Sequence, residues 1–340
     1  MNTIKIGKKE IGIDQPVFVI AEIGINHEGS VKRCAQLIRD ASDAGADAIK
    51  LQTVDADANY VKGSESHEIF KKSELSLEET GEMFELARSH GLEPFTTSGD
   101  IPTIDKVETL NPVAYKISSG LMTNIPIIRH LARLKRPLLV STGMAKIEEI
   151  DDVVEIIRLN NMRDQFGLFQ CTAEYPAPIE SLNLRTIRWL QERYECPVGF
   201  SDHSEGIDAS FLCVAAGSMM IEKHFTFDRS KKSFDHAISL EKKELKEMIA
   251  KIRKAESMLG QAKKTISKLE EQKRELMHRV LVAKIPIKKG DLFNEHNVTF
   301  KRPLAGNLGM APREYDGILG KICLFNLPVD QVIQREMLKE

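Results

Sequence analysis

Cysteine, aromatic residues and net charge are all scarce in this chain. Its five cysteines (Cys34, Cys171, Cys196, Cys213 and Cys323) are scattered, odd in number and never at CxxC spacing. That pattern offers no disulfide framework and no thiolate zinc site, and it fits reduced thiols in a cytoplasm. The formal net charge is only −2, so no global field draws the chain to nucleic acid or an anionic membrane. No apolar run approaches the ~20 residues that cross a bilayer. The first residues, MNTIKIGKKE, lack the apolar core of a signal peptide. No GxGxxG turn opens a helix after a strand, which removes the main support for a doubly wound nucleotide-binding sheet.

Against these absences stands a regular alternation. Short apolar runs read as strands at 17–24, 47–53, 93–98, 114–119, 137–143, 166–172, 197–203 and 219–226, with helix-period segments between them. After a polar loop that follows the second strand, Ser76 and Glu79 form a capping-box pattern that opens one helix, running to about His90. Ile150, Val153, Val154 and Ile157 fall on one face of another. A last amphipathic helix spans about Lys242 to Leu259. Continuous apolar strands between helices imply a parallel sheet covered on both faces. Eight such units over about 250 residues predict a closed (β/α)8 TIM barrel, with an open sheet as the competing arrangement. Residues 261–280 are charged and weakly patterned and read as a linker after a barrel of residues 1–260. Residues 281–340 have short strands and turns and read as a small β-rich domain.

In such barrels the active site lies at the C-terminal strand ends. Polar residues gather there on all eight strands: Glu22; Lys50 and Gln52; Thr97; Lys116 and Ser119; Ser141; Tyr175; Ser201; and Glu222 with His224. Lys50 and Lys116 interrupt apolar strands, where an ammonium must either pair with a carboxylate or serve an anionic ligand. With Ser119, Ser141 and Ser201 nearby, a phosphate or carboxylate ligand is favoured. His203 and His224 end adjacent strands beside Asp202 and Glu222. They suggest an open two-imidazole site for a divalent ion such as Mn²⁺ or Mg²⁺. His27 reads either as a catalytic group or as a loop histidine bonded to backbone.

Several stretches resemble the sialic acid synthase family, which includes N-acetylneuraminate, legionaminate and pseudaminate synthases. They are AEIGINHEGS (21–30), ADAIKLQT (46–53), AYKISSG (114–120), STGM (141–144), CTAEYPAP (171–178), GFSDHS (199–204), IEKHFT (221–226) and DHAISLEKKEL (235–245). IPIKKGDLFNEHNVTFKRPLAGNLG (285–309) and GILGKI (317–322) resemble that family's antifreeze-like (SAF) domain. The resemblance implies condensation of phosphoenolpyruvate with an open-chain N-acylated amino sugar and water, giving a nonulosonic acid and phosphate. N-acetylmannosamine is the expected sugar, with a diacetamido-trideoxyhexose as the alternative. A phosphoenolpyruvate-using barrel acting on phosphorylated sugars, or a non-catalytic sugar-binding homologue, remain the other readings.

By the same resemblance Lys50, Thr97, Lys116, Ser119, Ser141 and Ser201 would bind phosphoenolpyruvate. His203 and His224 would hold Mn²⁺ or Mg²⁺, with Co²⁺ possible, and Glu22 would handle a proton. Gln52, Tyr175 and Asp235 would contact the sugar. Arg302 would reach the acyl-amino group across a homodimer in which each SAF domain lids its partner's barrel. Three departures border the expected sugar pocket: Leu121 in place of an acidic residue, Ala173 in place of Asn or Ser, and Lys-Ser-Phe234 in place of a Gly-Pro loop.

Overall fold

A computed structural model describes residues 3–160, 162–231 and 234–339. The chain divides into two compact units, Met1–Gly260 and Gln261–Glu340.

The first unit opens with an antiparallel hairpin, β1 (Ile4–Ile6) and β2 (Lys9–Ile11). Eight parallel strands follow: β3 (Phe18–Gly24), β4 (Ala48–Gln52), β5 (Glu93–Thr97), β6 (Tyr115–Ile117), β7 (Leu138–Ser141), β8 (Phe166–Cys171), β9 (Val198–Asp202) and β10 (Met220–His224). They close in the order β10-β3-β4-β5-β6-β7-β8-β9. This is the expected (β/α)8 barrel, and each expected strand is present. The capping box on Ser76 and Glu79 opens the helix Leu77–Ser89, and the last barrel helix spans Lys242–Leu259.

Alternation along each strand sorts side chains between two environments. Outward residues such as Val19, Ala21, Ile49, Leu51, Val140 and Phe200 pack with the helices into one large core. Inward residues form a second core at the barrel floor from Phe18, Ile20, Ala48, Phe95, Leu139, Phe169 and Met220. Ile4, Ile6 and Ile11 of the hairpin belong to that floor cluster and plug it. The sequence reading treated the hairpin residues only as a terminus; three-residue strands carry too little periodicity to stand out. Gly199 makes room for the floor: a Cβ there would sit 2.6 Å from the Phe169 ring and 2.8 Å from Met220.

Two segments differ from expectation. Residues 54–75, read as a polar loop, contain the helices Ala56–Asn59 and Glu65–Ser73, capped by Asp55 and Ser64. The segment read as a linker contains the helix Lys268–Met277, opened by a Ser267–Glu270 capping box. Beyond it the second unit holds β11 (Val280–Ala283) paired with β12 (Val298–Lys301), and β13 (Ile322–Cys323) paired with β14 (Leu338–Lys339). Its own core includes Leu281, Ile287, Phe293, Ile318 and Ile333.

If the hairpin seals the floor, Ile6→Ala should leave an unfilled cavity under Phe169. The expected cost is about 2–5 kcal/mol, measured by urea unfolding followed by circular dichroism. A loss below 0.5 kcal/mol, roughly that of a surface substitution, would mean the plug is dispensable.

Candidate active site

Above the apolar floor the inward positions change character within one step along each strand. Ile20 gives way to Glu22, Ala48 to Lys50, Leu139 to Ser141, Phe169 to Cys171 and Met220 to Glu222. A cavity of about 490 Å³ opens over this layer. Its lining includes Glu22, Lys50, Gln52, Lys116, Ser119, Ser141, Tyr175, Ser201, His203, His224 and Asp235, so the structure brings together most of the residues that the sequence nominated. Thr97, buried at the end of β5 opposite Gln52, is not part of that lining, and its hydroxyl has no partner. Arg302 is exposed, just after β12 in the second unit.

Four buried charges form the centre of the layer. The Lys50 ammonium lies 3.0 Å from Glu222 Oε1 and 3.3 Å from Glu22 Oε2. Lys116 Nζ lies 3.3 Å from Glu222 Oε1 and donates to Ser141 Oγ at 2.6 Å. Ser201 Oγ donates to the same Glu222 oxygen at 3.2 Å, and Gln52 Nε2 donates to Glu22 Oε1 at 2.9 Å. Both lysines are therefore paired with carboxylates while still facing the cavity. Glu222 is the hub that sequence reasoning passed over. In the sequence it stands out only as a neighbour of His224, although a pair of buried lysines requires a carboxylate partner.

The two carboxyls are driven apart. Burial, only partly offset by Lys50, pushes Glu22 up to about 7. Glu222 is equally buried, but Lys116 and Lys50 outweigh that effect and hold it down to about 2. Burial also pulls Lys116 below the ordinary lysine range, whereas Glu22 and Glu222 outweigh burial at Lys50 and raise it. A carboxyl near neutrality beside one that stays ionised can hold or release a proton at working pH.

Beside this group the His203 and His224 rings face each other, with centroids 5.4 Å apart. His203 Nδ1 is 2.9 Å from the Thr172 carbonyl, which fixes the N–H there and leaves Nε2 as the free lone pair. Tyr175 stacks on the same ring at 4.2 Å, and its hydroxyl is 3.2 Å from that Nε2. His224 Nδ1 is buried without a hydrogen bond, 3.6 Å from Asp235 Oδ2. Burial lowers His203 to about 4 and His224 to about 3, so both rings are neutral near pH 7. Two neutral imidazoles, one with an unpartnered nitrogen, suit a labile divalent ion. Among the described residues no three His, Cys, Asp or Glu side chains form a closed cage. An ion here would complete its shell with water or substrate oxygens.

The strand ends carrying the histidines are tied together from outside the barrel. Lys223 and Asp202 are both 0% exposed and 3.1 Å apart. Lys223 Nζ also donates to the Ser204 carbonyl at 2.6 Å, and Asp202 Oδ1 accepts from the Ser204 amide at 2.8 Å. His203 lies between Asp202 and Ser204, and His224 follows Lys223, so one ion pair fixes both segments.

Of the departures noted in the sequence, Ala173 and Phe234 line the cavity. Leu121 does not: it packs against the outer hydrophobic core. Lys232 and Ser233, next to Phe234, lie outside the described residues. His27 is buried next to the site but accepts a hydrogen bond from the Gly29 amide at 3.1 Å, which is the backbone-bonded alternative.

The NeuB family pattern matches residues 37–264, and that of the SAF domain matches residues 278–339. The chain belongs to the NeuB family. It is 36% identical to the N,N'-diacetyllegionaminic acid synthase of Campylobacter jejuni, over 93% of this chain and 98% of that one. It is also 36% identical to a Campylobacter jejuni pseudaminic acid synthase, over 91% of this chain and 92% of the other. The crystal structure of the N-acetylneuraminic acid (sialic acid) synthetase of Leptospira borgpetersenii superposes with a TM-score of 0.77 at 32% identity, covering 80% of this chain and 95% of that one. No helix among the described residues is long and apolar enough to cross a membrane.

The buried imidazoles make a pH prediction. His27 is lowered to about 4, chiefly by burial. A depressed folded value means the unfolded chain binds the proton more readily. The contribution of this ring to stability is therefore complete above the unfolded value of 6.5 and lost as pH falls through about 4. His27→Gln should remove up to about 3 kcal/mol of the acid sensitivity between pH 6.5 and 4, read from urea midpoints at each pH. An unchanged difference between the two pH values would overturn the assignment.

Proposed function

We propose that this chain condenses phosphoenolpyruvate with an open-chain N-acylated amino sugar and water, releasing phosphate and a nonulosonic acid. The observation that carries the reading is the sharing of one cavity by a buried lysine–hydroxyl floor and two neutral imidazoles, in a chain of the NeuB family. The Lys50 and Lys116 ammonium groups and the hydroxyls of Ser119, Ser141 and Ser201 provide charge and directed donors for an anion with phosphate and carboxylate ends. Thr97, beside Gln52 at the end of β5, would add its unpartnered hydroxyl to that set. Gln52, Tyr175 and Asp235 line the opening where an open-chain sugar would lie.

The bonds balance as follows. C3 of phosphoenolpyruvate joins the aldehyde carbon, whose oxygen takes up a proton and becomes a hydroxyl. Water adds at C2 and gives up one proton; the C2–O bond to phosphate then breaks as the C2 hydroxyl becomes the keto group, its remaining proton leaving with the phosphate. Mn²⁺ or Mg²⁺, with Co²⁺ as a substitute, held by His203 and His224, would supply Lewis-acid polarisation of the aldehyde. Glu22, poised near neutrality, is placed to move the proton between the water and the new hydroxyl. Tyr175 and the Thr172 carbonyl orient His203, and Asp235 stands over His224. Leu121 lies in the outer core, so this departure does not remove a group from the cavity and does not favour a non-catalytic sugar-binding homologue.

The chain is further proposed to act as a homodimer. In it each SAF domain covers the other subunit's barrel, keeps bulk water away from the reacting centre and brings Arg302 to the acyl-amino group.

Two measurements test this. EDTA should abolish phosphate release from phosphoenolpyruvate and amino sugar, and Mn²⁺, Mg²⁺ or Co²⁺ should restore it. His224→Ala should stay folded and lose metal-dependent turnover, and full activity of that variant after metal stripping would sink the metal reading. For the lid, Arg302→Ala and His203→Ala subunits, each nearly inactive alone, should regain part of the activity when exchanged into heterodimers. No recovery after verified exchange would mean that Arg302 acts within its own chain or not at all.

A further inference from the structure

The cavity is chemically lopsided, and the asymmetry follows the barrel order. Its serine hydroxyls come largely from β7, β9 and the turn after β6: Ser118, Ser119, Ser141 and Ser201. The loops after the adjacent strands β10, β3 and β4 instead contribute Phe234, Ile25, and Tyr60 with Ile69 and Phe70. These are apolar side chains from three separate loops, so they do not arise from one amphipathic helix turning its face inward.

The rings are held in place. Tyr60 and Phe70 stack with centroids 4.8 Å apart and planes inclined at 28°. The two short helices that carry them are tied down by Asp57, which takes Lys71 at 2.9 Å and His67 at 3.1 Å, and by Asn59, which donates to Asp100 at 2.8 Å. Phe234 sits at a φ of 59°, a left-handed conformation that a bulky residue adopts only when its surroundings enforce it. The edge-on His236 ring, 5.7 Å away, helps to enforce it. His236 is itself fixed through Thr226 at 2.6 Å and Glu28 at 3.1 Å. The polar groups on this side are Asp235, whose amide donates to Asn26 Oδ1 at 3.2 Å, the exposed Ser66 and the Tyr60 hydroxyl.

We propose that Tyr60, Phe70 and Phe234 form an apolar subsite that selects an amino sugar ending in a methyl group over one ending in a primary hydroxyl. This rests on the reading of the cavity as an amino-sugar condensing site. With phosphoenolpyruvate on the lysine–serine side and the aldehyde between the histidines, the far end of the sugar lies against these rings. A primary hydroxyl there loses its water and finds aromatic carbon, whereas a methyl group gains contact. Three rings offer more apolar surface than a single N-acetyl methyl covers. They therefore suit a terminally deoxygenated sugar with more than one acylamino group.

The test compares N-acetylmannosamine with its 6-deoxy analogue, which differ by one oxygen. Phosphate release and calorimetric binding are both measured on the full-length, metal-loaded protein. The 6-deoxy sugar should be favoured about 10- to 100-fold in kcat/KM and in Kd. Phe70→Ser and Phe234→Ser should each move that ratio toward one while the KM for phosphoenolpyruvate stays within about threefold, a change worth less than 1 kcal/mol. Equal use of the two sugars, or preference for the hydroxyl, by the unmutated protein overturns the subsite but leaves the condensation intact. Discrimination in binding without phosphate release from either sugar upholds the subsite and overturns the condensation.

Discussion

Everything at the centre of this molecule depends on desolvating two lysines inside a closed barrel. An ammonium there is tolerated only with a carboxylate within a few ångströms, and Glu222 supplies it to both Lys50 and Lys116. Burial raises the Glu22 carboxyl toward neutrality, with the neighbouring Glu222 adding to the shift and Lys50 opposing it. The quartet is electrically balanced when all four are ionised. It nonetheless leaves Glu222 Oε2 without a hydrogen bond, and Glu22 Oε2 with only the Lys50 ammonium at 3.3 Å. These unsatisfied groups point to a layer organised around a ligand rather than for stability alone.

The barrel also sets the limits within which that layer can exist. The apolar floor, closed by Ile4, Ile6 and Ile11, keeps water from reaching the quartet from below. Strand pairing fixes which residues are neighbours: His224 lies opposite Glu22, and Glu22 opposite Lys50. Outside the barrel, the Lys223–Asp202 pair locks the segments that carry both histidines. Breaking it by removing one partner would strand a fully buried charge, so the position of the imidazoles is coupled to the stability of the barrel.

How much of this was legible in the sequence follows from the range of each signal. The strands and the polar residues at their ends were readable because each signal lies within a few residues. Lys50 and Lys116 stood out as charges in apolar runs, yet their shared partner did not, since Glu222 follows them by more than 100 residues in the chain. Only the closing of β10 onto β3 and β9 brings it near. The Asp202–Lys223 pair spans far less chain, yet it too forms only where β9 and β10 lie side by side. The helix at 268–277 was a different kind of miss: Ser267 and Glu270 carry the same capping pattern that was recognised at Ser76 and Glu79. There the charged composition obscured a local signal that was present. The two short helices after β4 likewise have N-caps, Asp55 and Ser64, but only four and nine residues of helix each.

The division between strands and loops has a chemical consequence. Residues that would bind and activate are largely carried by strands or the first residues after them, where both neighbouring strands constrain the backbone and a displacement would break ladder hydrogen bonds. The rings of the proposed apolar subsite are carried by loops whose anchors, Asp57, Asn59 and Glu28, are separate from the lysine quartet. Tyr60, Phe70 or Phe234 can therefore change in size or polarity without altering the pairing of Lys50 or Lys116. A barrel built this way can keep one condensation chemistry while its loops are fitted to different sugars. The same separation explains why an apolar residue at 121 is compatible with an intact cavity: its side chain belongs to the packing between strands and helices, on the other side of the barrel wall.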